Sequence, residues 1–183
     1  MIDSKEASAA LADIDDIVQR VKQSQLYELA STAALWWGVL VFAGNLVTWA
    51  WPSYAMYAWP AVDILGVGGL IAIRLFKPSQ PQPAAFDIRL VLVFALFFAF
   101  GNICTNVLGH FGGRELGAFW PIYFMLFYTM AGLWFGTAFV AIGLSIIALT
   151  LIGFFWIGDA FPLWMAFVNG GGLIVGGLWM RRI

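Results

Sequence analysis

Apolar residues form six long runs between residues 30 and 180, and short polar or Pro- and Gly-containing segments separate them. A helix needs about 20 mainly apolar residues to cross roughly 30 Å of hydrocarbon. The pattern therefore predicts an all-α integral membrane protein with six transmembrane helices. Their approximate bounds are 32–51, 55–76, 88–110, 116–135, 137–157 and 161–180.

Charged residues are rare and lie near the ends of these runs. Only 10% of the chain is charged, compared with about 25% in soluble domains. All Lys and Arg residues except Arg114 fall on one predicted side. Because basic residues collect on the cytoplasmic side, we expect a multi-pass protein of the cell inner (plasma) membrane with both termini cytoplasmic. The net charge of −1 provides no field for binding nucleic acid.

Similar sequences recur at corresponding places in the six runs. The even-numbered helices end in Gly68-Gly69-Leu70, Ala131-Gly132-Leu133 and Gly176-Gly177-Leu178, and each motif follows Trp59, Trp120 or Trp164. The odd-numbered helices carry Gly44-Asn45, Gly101-Asn102 and Gly153. These matches predict three tandem hairpins, approximately 31–77, 86–136 and 137–183, repeated about an axis along the membrane normal.

Two pairs of glycines have the spacing of helix-packing motifs, Gly132 with Gly136 and Gly172 with Gly176. Small residues let helix backbones approach closely inside a membrane. We expect these glycines to pack the helices of the bundle together, and a self-association face is the alternative.

Several polar residues fall inside the predicted spans, where such groups are costly and often functional. They concentrate in the outer halves of the first three helices. In the third helix, Asn102, Asn106 and His110 recur every four residues and so share one face. The sequence therefore predicts an intramembrane polar site composed of Asn45, Thr48, Asp63, Asn102, Thr105, Asn106 and His110.

Asp63 is the one ionisable residue well inside a predicted span. Two roles fit it: a proton- or cation-binding group facing an outward-open cavity, or a structural group hydrogen-bonded to Asn45 or Asn102. Asn169 in the sixth helix is expected to hydrogen-bond a neighbouring helix or to line a cavity.

Residue arrangements typical of catalytic sites are absent from the sequence. It has no Gly-x-Ser-x-Gly, no His-Glu-x-x-His and no glycine loop with Lys for phosphate. One cysteine, Cys104, and one histidine, His110, provide no multi-cysteine or bis-histidine ligand set. We therefore expect that the protein is not an enzyme and that it holds no metal and no resident cofactor. An outer-face transferase using His110, Arg114 and Glu115 is the alternative.

Residues 1–30 predict a cytoplasmic amphipathic helix that precedes the transmembrane domain, residues 31–183. Its apolar stripe repeats at three- or four-residue spacing and consists of Leu11, Ile14, Val18 and Val21. The acidic first half disfavours an anionic membrane surface. We expect the stripe to bind another protein, a second copy or the cytoplasmic end of the bundle, and a solvated helix is the alternative.

These features predict a non-enzymatic, bacterial-type inner-membrane protein that acts as an anchor, assembly or sensor subunit. Its expected partners are the lipid bilayer and either another protein or further copies of itself. The alternative function is a small transporter or ion-conducting protein whose polar site lies in the outer half of helices one to three. A third hypothesis is an accessory subunit that binds lipid, quinone or pigment.

Overall fold

The computed structural model describes residues 4–76 and 88–182, and in these ranges it contains six helices and no strand. The all-α fold class is therefore confirmed. The proline-rich segment 77–87 lies outside the described residues. Four helices are uninterrupted: α1 is Ser4–Ala50, α2 is Ala55–Phe76, α4 is Gly113–Phe135 and α5 is Thr137–Trp156.

The remaining two helices contain π-helical segments. Helix α3 is Ile88–Asn102 and continues as a π-helix over Ile103–Leu108. Helix α6 consists of Phe161–Met165, a π-helix over Ala166–Gly171, and Gly172–Met180. Five helical stretches are long and apolar enough to cross a membrane, and the described apolar part of α3, Leu92–Leu108, is shorter. The five are Gln23–Ala50, Pro52–Ile73, Gly113–Phe135, Thr137–Trp156 and Phe161–Met180.

Helix α1 runs without interruption through residue 30, where the sequence predicts a boundary between two parts. No glycine or proline lies between Ser4 and Gly38, so nothing in this stretch breaks the backbone hydrogen bonds. Its 47 residues correspond to a length of about 70 Å, more than twice the hydrocarbon thickness of a bilayer.

The helices neighbour one another in the order α2, α1, α6, α5, α4, α3. Extensive backbone contacts join α1 to α2, α1 to α6, α5 to α6 and α4 to α5. Helix α3 meets α4 through aromatic side chains, including Phe97 stacked on Tyr123 with ring centroids 3.9 Å apart. Among the described residues, α2 and α3 share no extensive contact.

The bundle has two ends, named here for their arginines. At the Arg181 end, Arg181 lies near Ser31 of α1, with Nε 3.0 Å from the hydroxyl. At the Arg114 end, the Arg114 guanidinium lies against the last turn of α5. The hydrophobic core lies between α1, α4, α5 and α6, and its buried side chains include Met125, Phe139, Ile146 and Leu173.

Candidate functional site

The apolar stripe of α1 is exposed where the structure describes it. The exposed fractions are 55% for Ile14, 43% for Val18 and 50% for Val21, and the side chain of Leu11 lies outside the described residues. Ile17, which the sequence reasoning missed, is 61% exposed and widens the stripe. Its i+3 spacing from Ile14 could have identified it.

Gln23 and Tyr27 of α1 contact the turn between α4 and α5. The Gln23 amide donates to the Phe135 carbonyl at 3.4 Å, and the buried Tyr27 ring lies 5.6 Å from the ring of Phe139. Helix α1 continues for 19 residues before Gln23, from Ser4 to Lys22. This length corresponds to about 28 Å of helix.

A second contact holds α1 at the Arg181 end. The fully buried Ser31 hydroxyl donates to the Gly177 carbonyl at 2.7 Å, and Arg181 Nε donates to the same hydroxyl at 3.0 Å. The bond to Gly177 joins residues 146 positions apart in the sequence. No local sequence pattern reveals such a partner.

The polar residues of α1 satisfy their hydrogen bonds within their own helix. Asn45 is buried and donates from Nδ2 to the Val41 carbonyl at 2.9 Å. The Thr48 hydroxyl donates to the Gly44 carbonyl, also at 2.9 Å. Side chains that bond to the carbonyl four residues earlier remain on their own helix rather than crossing to a neighbour.

Helix α3 repeats this arrangement. Asn102 Nδ2 donates to the Phe98 carbonyl at 2.9 Å, and the buried Thr105 hydroxyl donates to the Gly101 carbonyl at 3.0 Å. The exposed Asn106 donates to the Asn102 carbonyl at 3.1 Å. Since α1 and α3 are not neighbours, the structure does not bring these two polar groups together through hydrogen bonds.

His110 lies outside the helix that the sequence assigns to it. Helix α3 ends in its π-helical segment, and His110 follows with a φ of 49°, in the left-handed region. This conformation reverses the chain, and the Phe111 amide reaches the Thr105 carbonyl at 3.3 Å. The predicted stripe of Asn102, Asn106 and His110 therefore ends at Asn106.

Asp63 lies on the exposed surface of α2, beside Val62, which is buried against α1. Among the described residues the Asp63 carboxylate has no hydrogen-bond or ion-pair partner. Its predicted bonds to Asn45 and Asn102 are not present in this structure. Asp63 is thus separated from both asparagine groups.

Two further polar side chains are buried near the middle of α5 and α6. The fully buried Thr150 hydroxyl has no hydrogen-bond partner within residues 4–76 and 88–182, whereas Thr48, Thr105 and Thr129 all bond to a carbonyl four residues earlier. Asn169 is 7% exposed and lies in the π-helical segment of α6. The sequence reasoning singled out Asn169 but not Thr150.

Arg114 has a structural role at the Arg114 end of the bundle. Its guanidinium donates to the carbonyls of Phe154, Ile157 and Gly158 and lies 4.9 Å from the centroid of the Phe161 ring. The Phe154 and Ile157 carbonyls lie at the end of α5, where carbonyls lack intrahelical partners, and the Gly158 carbonyl also accepts from the Phe161 amide at 3.0 Å. Arg114 therefore caps α5, a role that sequence reasoning missed because the carbonyls lie about 40 residues later.

The glycines of the repeated motifs lie at helix crossings. A Cβ built on Gly44 would lie 3.8 Å from the Trp59 ring, one on Gly101 would lie 2.9 Å from Trp120, and one on Gly153 would contact Trp164. Each glycine thus faces the tryptophan of the next helix in the chain.

A second set of glycines joins successive helix pairs. A Cβ on Gly132 would lie 2.7 Å from the Val140 nitrogen, and one on Gly177 would lie 3.0 Å from the Ser31 carbonyl. Ser31 and Val140 hold equivalent places in their hairpins, because each lies 13 residues before the glycine that faces a tryptophan, Gly44 or Gly153. Gly69, at the corresponding place in α2, instead faces Trp36 of α1.

The remaining predicted packing glycines have different surroundings. A Cβ on Gly172 would contact Ile146, and one on Gly176 would contact Ile142, so both face α5. Gly136 is not inside a helix but forms the turn between α4 and α5, with a φ of 137°. A shallow apolar groove of about 220 Å³ lies between α5 and α6 and is lined partly by Ser145, Gly172 and Gly176.

The fold defines an all-helical protein with five helices long and apolar enough to span a membrane. Comparison with protein-family models, curated proteins and solved structures finds no match. Among the described residues, no group of three His, Cys, Asp or Glu side chains is placed to hold a metal ion.

Proposed function

We propose that this protein is a non-enzymatic, multi-pass protein of the inner membrane that holds an amphipathic helix in the cytoplasm for a protein partner. The observation that carries the proposal is the continuity of α1 from Ser4 to Ala50. Because one helix contains both a membrane-length apolar segment and the exposed stripe, the bundle fixes the position of the stripe.

The cytoplasmic location of both termini is supported by the distribution of basic residues. The Arg181 end includes Arg181 and Arg182, and the extension of α1 beyond it carries Lys5, Arg20 and Lys22. Arg114, the single basic residue of the other end, is bound to backbone carbonyls and aromatic rings of α5 and α6. Its structural role accounts for the exception to the positive-inside rule.

Three parallel hairpin repeats are part of this proposal. The contacts of Gly44, Gly101 and Gly153 with corresponding tryptophans support the equivalence of the three hairpins. The contacts of Gly132 with Val140 and of Gly177 with Ser31 support equivalent joins between successive hairpins. Repeats of two helices keep the same orientation in the membrane.

The exposed stripe supports a protein partner rather than a role in the bundle. Ile14, Ile17, Val18 and Val21 all precede Gln23, whose side chain reaches the α4–α5 turn, and all four are exposed. A narrow apolar face on a polar helix is the usual form of helix-in-groove and helix-pair recognition. The acidic residues Asp13, Asp15 and Asp16 favour a partner with basic residues beside its apolar groove.

Site-specific photo-cross-linking in intact cells tests the partner-binding role. A photoreactive residue replaces Val18 on the stripe or, as the control, the exposed Asp13, which lies five residues earlier and therefore about 140° away around the helix. We expect a discrete covalent adduct from position 18 and none from position 13. Adding Ile14→Gln and Val21→Gln should reduce the position-18 adduct about tenfold, because both substitutions remove apolar contact area.

Equal adduct yields from positions 18 and 13 would contradict a stripe-specific contact. Loss of the adduct is meaningful only if the substituted protein keeps its fold. The residues that hold α1 on the bundle, Gln23 and Tyr27, are therefore unchanged in every variant, and thermal unfolding is measured in parallel.

A small transporter is the second candidate function, and the π-helical segments favour it. Thr105 lies in the segment of α3 and Asn169 in that of α6, and such segments are frequent at functional sites. Proton flux into proteoliposomes, followed with an enclosed pH dye, tests this function. We expect Asp63→Asn and Asn169→Ala to reduce the flux, and unchanged flux in both variants would oppose a role for these residues.

A further inference from the structure

Helix α2 is the least buried of the five apolar stretches. Only 11% of its apolar window is buried, compared with 50% for α6. Its packing face is narrow, with Val62 and Gly66 against α1. The opposite surface carries exposed apolar side chains, and Gly68 has nothing within 4 Å of a built Cβ.

Asp63 is unusual on this surface. If α2 spans the bilayer, as the proposed function holds, Asp63 lies eight residues from Ala55, which corresponds to about 12 Å below the Arg114 end. A carboxyl group exposed to hydrocarbon at this depth is costly, and such groups usually face a partner or an aqueous cavity. Its own chain gives Asp63 no hydrogen-bond partner among the described residues.

Helix α3 presents complementary groups at a similar depth. Asn102 lies six residues before Leu108, about 9 Å from the same end. Asn106 is exposed, and its carboxamide oxygen accepts no hydrogen bond from the described residues. Each carboxamide has two N–H donors and one oxygen acceptor, so it can pair with a carboxyl group in either protonation state.

The joins between hairpins also point to this side of the molecule. Hairpins two and three meet at Gly132, and hairpins three and one meet at Gly177. The corresponding join between hairpins one and two would bring α2 to α3, and the described residues of these two helices share no extensive backbone contact. Asp63 on α2 and Asn106 on α3 are both exposed, so the described residues leave these two polar side chains uncovered.

We infer that a second copy of this chain covers these surfaces. In a twofold dimer, α2 of each copy packs against α3 of the other, so both contacts form at once and the assembly closes. The polar complementarity of Asp63 with Asn102 and Asn106 of the second copy carries the inference. The interface buries the exposed Asp63 carboxyl group. In each copy, it also places α3 of the other copy against α2 of the first hairpin.

Disulfide cross-linking between two differently tagged copies tests the dimer. In a Cys104→Ser background, one copy carries Val67→Cys on α2 and the other carries Ala99→Cys on α3, both at exposed positions. Oxidation in the membrane should produce a dimer that carries both tags. The matched control pairs Leu151→Cys on α5 with Val175→Cys on α6, also exposed, and should give no cross-linked dimer.

The carboxyl group itself is tested by two substitutions in the cross-linking pair. Asp63→Asn keeps hydrogen-bonding capacity and should preserve the two-tag dimer, whereas Asp63→Leu should reduce it about tenfold, since polar contacts contribute to helix association in membranes. Equal cross-linking in both variants would overturn the role of Asp63.

Other outcomes separate this inference from the proposed function. A chain with both Val67→Cys and Ala99→Cys that forms only an intrachain disulfide would show that α2 and α3 meet within one copy, which overturns the dimer. Membrane-inserted protein without the two-tag product would also overturn it and leave the proposed function standing. Extraction of the protein by alkaline washing, which releases proteins that are not inserted, would overturn both.

Discussion

The Tyr27 hydroxyl lies directly against Gly136, so a Cβ built at residue 136 would collide with it. Gly136 also has a φ of 137° and a ψ of 155°, a region that is essentially restricted to glycine. Glycine at position 136 is therefore needed twice. It permits the backbone of the α4–α5 turn, and it leaves room for Tyr27 of α1.

Gly136→Ala should destabilise the protein through both the collision and the backbone strain. We expect a fall of about 3–10 °C in the midpoint of thermal unfolding, Tm, measured in mild detergent. Gly68→Ala is the matched control because its Cβ would have open space, and it should change Tm little or raise it slightly. An unchanged Tm for Gly136→Ala would mean that Tyr27 and the turn can separate without cost.

Ser31→Ala should weaken the attachment of α1 to α6. The substitution removes the fully buried hydroxyl that donates to the Gly177 carbonyl and accepts from Arg181. We expect a loss of about 1–2 kcal/mol in the free energy of unfolding. Chemical denaturation in detergent measures it, with the exposed Ser145→Ala as the control. Equal effects of the two substitutions would contradict the bridging role of Ser31.

Thr150→Val should stabilise the protein, in contrast to Ser31→Ala. Its hydroxyl is fully buried and has no partner in the part of the chain that the structure describes, and an unsatisfied buried polar group costs about 1–3 kcal/mol. We expect a valine of similar shape to raise Tm by a few degrees, about 2–4 °C for each kcal/mol gained. Thr105→Val, which removes bonds to Gly101 and Asn102, should lower Tm. A lower Tm for Thr150→Val would show that this hydroxyl has a partner.

Arg114→Leu should destabilise the Arg114 end of the bundle. The substitution removes charged hydrogen bonds to three carbonyls at the end of α5, and such bonds contribute about 1.5–3 kcal/mol each before screening and exposure reduce them. We expect a fall in Tm and faster hydrogen exchange near Phe154 than in the rest of α5. Arg182→Gln, at an exposed position, should leave both quantities unchanged.

Hydropathy alone predicts most of the helical architecture. Each apolar run is long enough to form a helix, and Pro or Gly residues such as Gly136 and Gly158 mark the interruptions. The predicted bounds of α2 match the observed Ala55–Phe76. The unbroken passage of α1 through residue 30 was missed because a change from polar to apolar residues resembles a boundary even where the backbone has none.

The candidate polar site shows what periodicity cannot provide. A stripe such as Asn102 and Asn106 identifies residues on one face of a helix, but not which helix lies opposite. The sequence reasoning grouped Asn45, Asp63 and Asn102 because they lie at similar depths. In the structure, α1 packs against α2 and α6, whereas α3 packs against α4. Bonds such as Arg114 to Phe154 connect distant parts of the chain and appear only when the helices are packed.

The uninterrupted α1 also has a mechanical consequence. Its projecting part and its packed part belong to one rod without a hinge residue, so a force on Ser4 reaches Tyr27 without being absorbed between them. With an arm of about 28 Å, a tilt of roughly 10° at Tyr27 displaces the tip by about 5 Å. Load applied by a bound protein would therefore act first as torque on the glycine turn between α4 and α5.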